Sequence, residues 1–285
     1  MAFANIREVI RSVELGRMHL AFFHKTSVPT PGAQRWADCS MGAGIPIYNA
    51  YVGGQLEATP MIGQKNQGLY MGPTPSSVHQ KHLLQVSMAS PQTTNGPPYT
   101  VIIADYLMFY PLVDGDSTDQ QDMDNTATLP RYADGNGVQL ALVITTPMSG
   151  SGTVNVNVTT SDDVDVTINV KTTTSSTVGV LAHTGVSNVD ISSTPFVPLG
   201  DIKGIKRVNW VTNLASLGGF YALVLVKPLA TMMLREALTM TEHSLLHHKA
   251  GLPRVHDGAY INFFLQAVGS GNPGVLRGEL DFVWG

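Results

Sequence analysis

Carboxylates are concentrated in one short segment of the chain, and a set of this kind could bind a cation. Within eleven residues the segment contains Asp114, Asp116, Asp119, Asp122 and Asp124. Hard cations such as Ca²⁺ take oxygen ligands from loops of this type. The spacing departs from the EF-hand pattern, because Thr118 and Asp119 replace the fifth-position ligand and the turn glycine, and Asn125 replaces the final glutamate. The pattern therefore favours a solvated connection between two strands over a metal site.

Histidines form a second concentration of possible ligands, in the set Glu242, His243, His247, His248, His256 and Asp257. In a helix, His243 and His247 would lie one turn apart, which lets two imidazoles share a zinc ion. Glu242 precedes both histidines, so the general base of a metalloprotease is missing from between them. Histidines in the last turn of a helix are also favoured by the helix dipole alone. We therefore predict no metal ligands here.

Motifs for nucleophilic or nucleotide chemistry are missing from the sequence. There is no G-x-S-x-G nucleophile elbow, and Cys39 lies in ADCSMG, which matches no cysteine-hydrolase signature. The glycine-rich segment MGAGIP at 41–46 is not followed by a helical pattern, so it is neither a P-loop nor a dinucleotide-binding turn. The sequence thus predicts no catalytic residue, no cofactor-binding residue, no cofactor and no enzymatic activity.

Aromatic side chains offer a third kind of site. Tyr106, Phe109, Tyr110 and Tyr132 could line a groove that binds carbohydrate. Aromatic residues at alternating positions of a strand are, however, typical of a packed core. The core interpretation is favoured, and the carbohydrate groove stays open as an alternative.

Charge is scarce in this chain. Only 13% of its 285 residues are charged, about half the usual ~25%, and the formal net charge is -4. Direct binding to nucleic acid is therefore not expected, because the chain lacks a basic footprint. A single cysteine excludes an intrachain disulfide and fits synthesis in a reducing host cytoplasm. Charged residues interrupt the apolar run at the N-terminus, so we expect neither an export signal nor a membrane span.

Most of the chain shows strand patterns, so strands must position any functional site. In the segment 151–174, valine and isoleucine alternate with Thr, Asn and Ser, which predicts a β-hairpin with one buried face. Further core strands are predicted around 84–88, 99–113, 138–144 and 218–228. The fold class predicted is mainly β: an antiparallel, jelly-roll-like β-sandwich with an extended N-terminal region and one C-terminal helix.

The two ends of the chain complete this arrangement. Residues 1–98 are predicted to form a short amphipathic helix followed by an extended arm, which is rich in Gly and Pro but carries apolar side chains. Residues 99–285 are predicted to form the sandwich body. Within the body we expect a helix at about 229–250, from leucine spacing and a Gly-Pro stop, and a closing hairpin at about 258–284.

Two segments of the chain carry a family resemblance. One is QRWADCSMGAGIPIYNAYVGG, which begins at Gln34, and the other is ADYLMFYPLVDGDSTDQQDMDNTATLPRYADGNGVQLALV at 104–143. They resemble a group of tailed-bacteriophage virion structural proteins, which have a similar aromatic strand, an acidic loop, a DNT-TLPRY-DG-GVQ pattern and then a sandwich strand. Beyond residue 144 the likeness is limited to hairpins rich in Thr and Val.

The resemblance implies a structural component of a phage head, neck or tail. Together with the missing motifs, it favours a capsid decoration or cement protein, located in the virion, that stabilises the capsid surface through oligomeric packing. Expected partners are further copies of the chain, as a trimer, and the major capsid protein or other virion proteins. Two alternatives stay open: a neck or tail component, and a carbohydrate-binding receptor module that uses the tyrosines and the acidic loop.

Overall fold

The computed structural model of the chain describes residues 3–28, 35–63, 68–73, 75–93, 96–172, 176–186, 189–190, 194–210, 219–247, 251–267 and 274–285. Within them the chain forms one α-helix, α1 (Ile6–Glu14), two short 3-10 helices (Cys39–Met41 and Leu245–His247) and eighteen strands. The strands are β1 (Met18–Thr26), β2 (Trp36–Asp38), β3 (Gly44–Ile45), β4 (Thr59–Pro60), β5 (Lys81–Ala89), β6 (Tyr99–Asp114), β7 (Gln121–Asp122), β8 (Gln139–Ile144), β9 (Thr153–Thr160), β10 (Asp165–Thr172), β11 (His183–Val186), β12 (Val189–Asp190), β13 (Ile202–Trp210), β14 (Phe220–Leu234), β15 (Thr241–Ser244), β16 (Arg254–Val255), β17 (Tyr260–Ala267) and β18 (Val275–Trp284).

Three antiparallel sheets account for these strands. Sheet I has the order β15-β5-β18-β1-β3, with β16 also paired to β5. Sheet II has the order β2-β17-β6-β14-β8, with β4 also paired to β6, and sheet III has the order β12-β11-β10-β9-β13-β7. The described helix is not long and apolar enough to cross a membrane. The predicted mainly β, antiparallel sandwich is confirmed.

Sheet II forms the centre of the molecule because its long strands are apolar on both faces. On one face of β6, Ile103 belongs to a core shared with sheet I, and Leu107 belongs to a core shared with sheet III. Ala104 and Tyr106 point the other way, into a third core that is closed by parts of residues 28–61 and 178–196. Sheets I and III thus cover the two ends of one face, and irregular segments cover the opposite face.

The hairpin predicted at 151–174 is confirmed as β9 and β10. The two strands pair antiparallel from Thr153↔Lys171 to Thr159↔Asp165. Val154, Val156 and Val158 are fully buried against sheet II, as the alternation indicates.

The short helix expected at the start of residues 1–98 is present as α1. The side chain of Asn5 caps α1 by accepting hydrogen bonds from the amides of Arg7 and Glu8. Gly16, at φ +70°, follows the helix and allows the turn into β1. β1 then pairs with β18 along all nine of its residues. Strands from before and after residue 98 therefore share sheets I and II.

The helix expected at about 229–250 is wrong. Residues up to Leu234 continue β14, where they pair with β6, and Thr241–Ser244 forms β15 beside β5. Period-two alternation governs the segment, because Met232 and Leu234 are buried whereas Met233 is half exposed. Leu234, Leu238 and Leu245 match a helical spacing only by coincidence, because they lie in a strand, a turn and a short 3-10 helix. Residues 248–250 lie outside the described residues.

The closing hairpin expected at about 258–284 is also wrong. β17 pairs with β2 and β6 in sheet II, whereas β18 pairs with β1 and β5 in sheet I. The burial of the two strands explains the difference. β17 is buried along nearly its whole length, as a strand of the central sheet must be, whereas β18 buries Leu280 and Phe282 but exposes Arg277 on the other face. The strands therefore connect two layers of the sandwich.

Candidate assembly surface

The two segments that carry the family resemblance meet on one face of sheet II. β2, at the start of the first segment, pairs with β17, which pairs in turn with β6. β4 pairs directly with β6 of the second segment. Between them, the ring of Tyr51 packs edge-on against Phe109 with 5.1 Å between centroids. Residues 35–62 are thus laid across the aromatic strand β6 and fixed at both ends.

The buried carboxylate of Asp38 joins the two segments. It accepts hydrogen bonds from the Ser40 amide (2.8 Å) and hydroxyl (2.6 Å) and from the Tyr106 hydroxyl (2.7 Å). The Tyr51 hydroxyl donates a further hydrogen bond to the same group and lies 2.8 Å from the Ser40 hydroxyl. All four side chains are at most 2% exposed. The network therefore fixes residues 38–51 to β6.

Burial shifts the pKa values of the ionisable groups in this network. Burial raises the pKa of Asp38, and the hydrogen bonds that its carboxyl group accepts oppose that increase. Burial also raises the pKa of Tyr51 and Tyr106, and the neighbouring Asp38 adds to the increase, so both phenols keep the protons that they donate. The pKa of the Cys39 thiol is raised for the same two reasons. Cys39 is fully buried and packs in the core.

A buried salt bridge within the second segment makes a further polar connection, to Met61. Arg131 binds Asp105 in a bidentate manner, with Nε and Nη2 at 2.9 and 2.8 Å from the two carboxylate oxygens. Its Nη2 also donates to the carbonyl oxygens of Met61 and Tyr106, each at 2.9 Å. Burial raises the pKa of Asp105, while the charge and hydrogen bonds of Arg131 act against that increase. Arg131, from the LPRY motif, thus fixes the end of residues 35–62 at Met61.

Sequence reasoning missed both polar connections, although a signal for one of them was present. Asp105 stands alone in the apolar run YTVIIADYLMFYPLV, and a charge inside a buried strand needs a buried partner. Nothing in the sequence pattern shows that Arg131, 26 residues further on, is that partner.

The glycine-rich segment at 41–46 approaches β1 very closely. The ammonium group of Lys25, on β1, is fully buried and donates to the carbonyl oxygens of Gly42 (2.8 Å) and Pro46 (2.6 Å). Burial lowers the pKa of Lys25 to about 8. A Cβ at Gly42 would lie 1.7 Å from the Thr26 carbonyl oxygen, and one at Gly44 would lie 2.0 Å from that of His24. These glycines therefore serve backbone packing.

The outer side of the same segment is apolar and exposed. Ile47, Tyr48, Val52 and Ile62 expose 45%, 55%, 81% and 50% of their surface, and we call these four residues the loop surface. They border a shallow depression of about 220 Å³ whose other walls include Met61, Phe109 and Tyr260. Among the residues that the structure describes, no charged side chain lines this depression. Asn49 and Thr59 also line the depression, so the loop surface groups exposed apolar side chains beside polar ones, as contacts with other proteins do.

The acidic loop predicted between two strands is mainly exposed. Its carboxylates serve local turns: Asp114 accepts from the Asp116 amide (2.8 Å) and Asp124 from the Thr126 amide (3.0 Å). Within the residues that the structure describes, no group of three or more His, Cys, Asp or Glu side chains lies close enough to hold a metal ion.

The histidines near the C-terminus do not share a helical face. His243 lies in β15, opposite Val86 of β5, so the spacing that suggested two ligands one helical turn apart does not apply. The side chain of His247 and the whole of His248 lie outside the described residues. His256 packs edge-on against the Tyr132 ring, with centroids 4.6 Å apart.

The aromatic residues considered for carbohydrate binding lie mainly in the cores. Tyr106 and Tyr110 are fully buried, and Phe109 is 5% exposed. Tyr110 uses its hydroxyl to donate to the side-chain oxygen of Asn125 at 2.7 Å. Tyr132 is partly buried, and its hydroxyl donates to the carbonyl oxygen of Arg254 at 3.0 Å.

Comparisons with known proteins give little further guidance. No family model and no curated protein matches the chain. Among solved structures, an infectious bursal disease virus Gt strain structure overlaps with a TM-score of 0.19 and 8% identity, covering 94% of this chain and 80% of that chain. The VP2 subviral particle of the same virus gives a TM-score of 0.17 and 9% identity, covering 93% and 80%. Similarities this low carry no argument about the chain.

Proposed function

We propose that this chain is a structural protein of a tailed-bacteriophage particle and that it binds the capsid surface as a decoration or cement protein. The loop surface carries the proposal. The residues that resemble phage virion proteins supply its attachment to the body, and its outer side exposes apolar residues that a monomer in water would be expected to cover. Its partners in this role are further copies of the chain, as a trimer, and the major capsid protein.

Burial of the loop surface supplies the driving force for such binding. Each ~100 Å² of apolar area removed from water contributes about 2.5 kcal/mol before the costs of association are subtracted. Because the segment is already fixed from inside by Asp38 and Arg131, binding need not order a flexible arm. A preformed apolar surface suits a protein that must stay attached to a particle.

Copy number in purified particles tests the proposal. Particles of the source phage are purified by density gradient, and this chain and the major capsid protein are quantified by mass spectrometry with isotope-labelled peptides. A capsid-wide role predicts hundreds of copies per particle. A dozen or fewer would overturn the decoration role in favour of a neck or tail position, and absence from the particle would overturn the virion role altogether.

A paired substitution then tests the loop surface itself. Ile47→Asp with Val52→Asp places two charges on this surface, and we expect at least a tenfold loss of the chain from purified particles. Val78→Asp is the matched control, because Val78 is 60% exposed and lies outside the loop surface. Equal incorporation of both variants would contradict the assignment of this surface.

A further inference from the structure

The depression beside the loop surface contains a hydroxyl group from a deeply buried residue. Tyr260 lines the depression and is only 6% exposed. Its backbone amide donates to Asp105, whereas its hydroxyl forms no hydrogen bond within the described residues. This oxygen is not one of the enclosed side-chain atoms that lack a partner, so it is open to the depression. Tyr260 therefore offers an unpaired polar group to any molecule that enters.

This hydroxyl group keeps its proton and is therefore a hydrogen-bond donor. Burial raises the pKa of Tyr260 to about 12, and the nearby charge of Asp38 adds to the increase. The phenol is thus protonated at neutral pH and can donate to an oxygen atom. An occupant without an acceptor at this position would leave the hydroxyl unpaired, which weakens binding.

The walls around this hydroxyl are mainly apolar. Phe109 and Met61 are 5% and 4% exposed, so together with Tyr260 they form the floor of the depression. The exposed residues Ile47 and Val52 stand above them and belong to the loop surface. An occupant must therefore have an apolar body where it meets these walls.

Two further polar side chains line the depression, and each already has a partner nearby. The side-chain oxygen of Asn49 accepts from the Tyr51 amide at 3.1 Å. The hydroxyl of Thr59 donates to the Glu57 carbonyl oxygen at 3.3 Å. Both residues are partly exposed, whereas Tyr260 is buried. The unpaired hydroxyl at the floor is therefore the polar group that an occupant of the depression must satisfy.

The size of the depression suits a single ring. A closed cavity of ~150 Å³ is large enough to hold benzene. A depression of about 220 Å³ can therefore take one six-membered ring, but not a helix or a strand. A pyranose ring carries hydroxyl groups around its whole edge, and most of these would face apolar walls without partners. A phenol ring has one polar atom at one end, which matches the single unpaired hydroxyl at the floor.

We propose that the depression holds a tyrosine side chain of the major capsid protein, whose phenol oxygen accepts a hydrogen bond from the Tyr260 hydroxyl. The ring of this tyrosine packs on Phe109 and Met61, below Ile47 and Val52. Tyrosine suits such a contact because it buries a large apolar ring and carries a polar atom at its tip. The inference rests on the proposed function, and it names the residue type that anchors the partner in the loop surface.

Titration with p-cresol, which has the side-chain ring and hydroxyl of tyrosine, tests the site in the isolated full chain. The 12 methionines are labelled with ¹³C at their methyl groups, and the NMR signal of Met61 is assigned with Met61→Leu. p-Cresol should shift this signal, because Met61 lines the depression. Toluene, which lacks only the hydroxyl, should bind about 2- to 12-fold more weakly, the ratio that one net hydrogen bond gives.

Tyr260→Phe tests the hydrogen bond itself. The variant lacks only the hydroxyl, so its preference for p-cresol over toluene should disappear. Its urea denaturation should match that of the wild type, because this hydroxyl forms no hydrogen bond within the described residues. Tyr70→Phe is the matched control, because Tyr70 is 49% exposed, packs against His19 and lies outside the depression. This control should keep the preference for p-cresol.

Photo-cross-linking in purified particles identifies the partner residue. The photoreactive residue p-benzoylphenylalanine is introduced in place of Tyr48, which is 55% exposed and lines the depression. After irradiation, mass spectrometry should find a tyrosine-containing peptide of the major capsid protein attached at this position. In the same particles, Tyr260→Phe should be incorporated about 2- to 12-fold less than the wild-type chain, and Tyr70→Phe should be incorporated equally.

Four outcomes would overturn the inference. They are a Met61 signal that responds to neither probe, an unchanged preference for p-cresol in Tyr260→Phe, a larger response to methyl β-D-glucopyranoside than to p-cresol, and cross-links to a second copy of this chain. The p-cresol titration needs no particle, so its failure leaves the decoration role to be decided by copy number. Conversely, a chain that binds p-cresol but is absent from particles would contradict the virion role and the capsid tyrosine, and would leave the ring-binding depression in place.

Discussion

The segment 35–62 has two sides that follow opposite rules. Its inner side buries a carboxylate, Asp38, with hydroxyl groups around it, while its outer side leaves Val52 81% exposed. In most soluble proteins charged groups lie outside and apolar groups lie inside. In this segment, polar side chains of the kind that often carry out catalysis instead fix the chain to the body. Apolar side chains of the kind that usually form a core are instead exposed to solvent.

The largest effect should come from breaking the inner side. Arg131→Ala leaves Asp105 buried without its partner and also removes the hydrogen bond to Met61. We expect a loss of about 3–5 kcal/mol in the free energy of unfolding, measured by urea denaturation. Replacing both partners, as Asp105→Leu with Arg131→Met, should cost less than Arg131→Ala, because no unpaired charge is left.

A surface ion pair serves as the matched control. Lys203 binds Asp163 at 2.8 Å, but the Asp163 side chain is 76% exposed. Lys203→Ala should therefore cost no more than about 1 kcal/mol. Equal losses for Arg131→Ala and Lys203→Ala would contradict the importance assigned to the buried pair.

A smaller loss is expected from one hydroxyl group of the network. Tyr51→Phe removes a donor to Asp38 and the contact with Ser40, but it keeps the ring against Phe109. A hydrogen bond to a charged group contributes about 1.5–3 kcal/mol, and urea denaturation should show a loss in that range. Tyr48→Phe, in the exposed half of the same segment, should change stability by less than about 0.5 kcal/mol.

Asp281 shows what partial burial does to a carboxylate that lacks the partners of Asp38. In the described part of the chain, its Oδ1 atom has no hydrogen-bond partner. Burial, with the neighbouring charges of Glu279 and Glu242, raises its pKa to about 6. The folded state therefore holds this proton more tightly than the unfolded state, so stability should fall as pH rises from about 4 to about 6.

Replacing this carboxylate should therefore stabilise the protein at neutral pH. Asp281→Asn should gain about 1 kcal/mol at pH 7, a value reduced for solvent screening because the side chain is only about half buried. At pH 4 or below the gain should vanish, because the wild-type carboxyl group is then protonated. Urea denaturation at both pH values checks this, and an equal gain at pH 4 and pH 7 would rule out the titration of Asp281 as the cause.

Substitutions on the outer side should hardly change the free energy of unfolding. Val52→Asp places a charge on a side chain that contacts mainly water, so the free energy of unfolding should change by less than about 0.5 kcal/mol. The same urea denaturation measures this change. A loss above about 2 kcal/mol would mean that Val52 belongs to the core, and the distinction between the two sides would fail.

Local patterns predicted much of the fold. The β9–β10 hairpin and the strands β5, β6 and β8 follow from alternation or from long apolar runs, because each signal is contained within the strand itself. The helix at about 229–250 was wrong because leucine spacing cannot separate a helix from two strands joined by a turn at Leu238, whose φ is +63°. The pairing of β17 and β18 was wrong because adjacency in sequence does not fix which sheet a strand joins.

The loop surface was harder to predict from the sequence than the strands. Residues 1–98 carry many apolar side chains, and the structure divides them: Tyr51 and Met61 pack inward, whereas Tyr48 and Val52 face out. Spacing could not sort these side chains, because the segment is irregular and has no fixed period. The polar connections join residues up to 70 positions apart, beyond the reach of any local pattern.

Incorporation of the Ile47→Asp, Val52→Asp variant into particles tests the central claim most directly. Wild-type and variant chains carrying different isotope labels are supplied together during infection, and their ratio in purified particles is compared with their ratio in the lysate. We expect the variant to be depleted at least tenfold in particles while its unfolding free energy and that of Val78→Asp stay within about 0.5 kcal/mol of wild type. An unchanged ratio for a correctly folded variant would contradict the role of the loop surface in assembly.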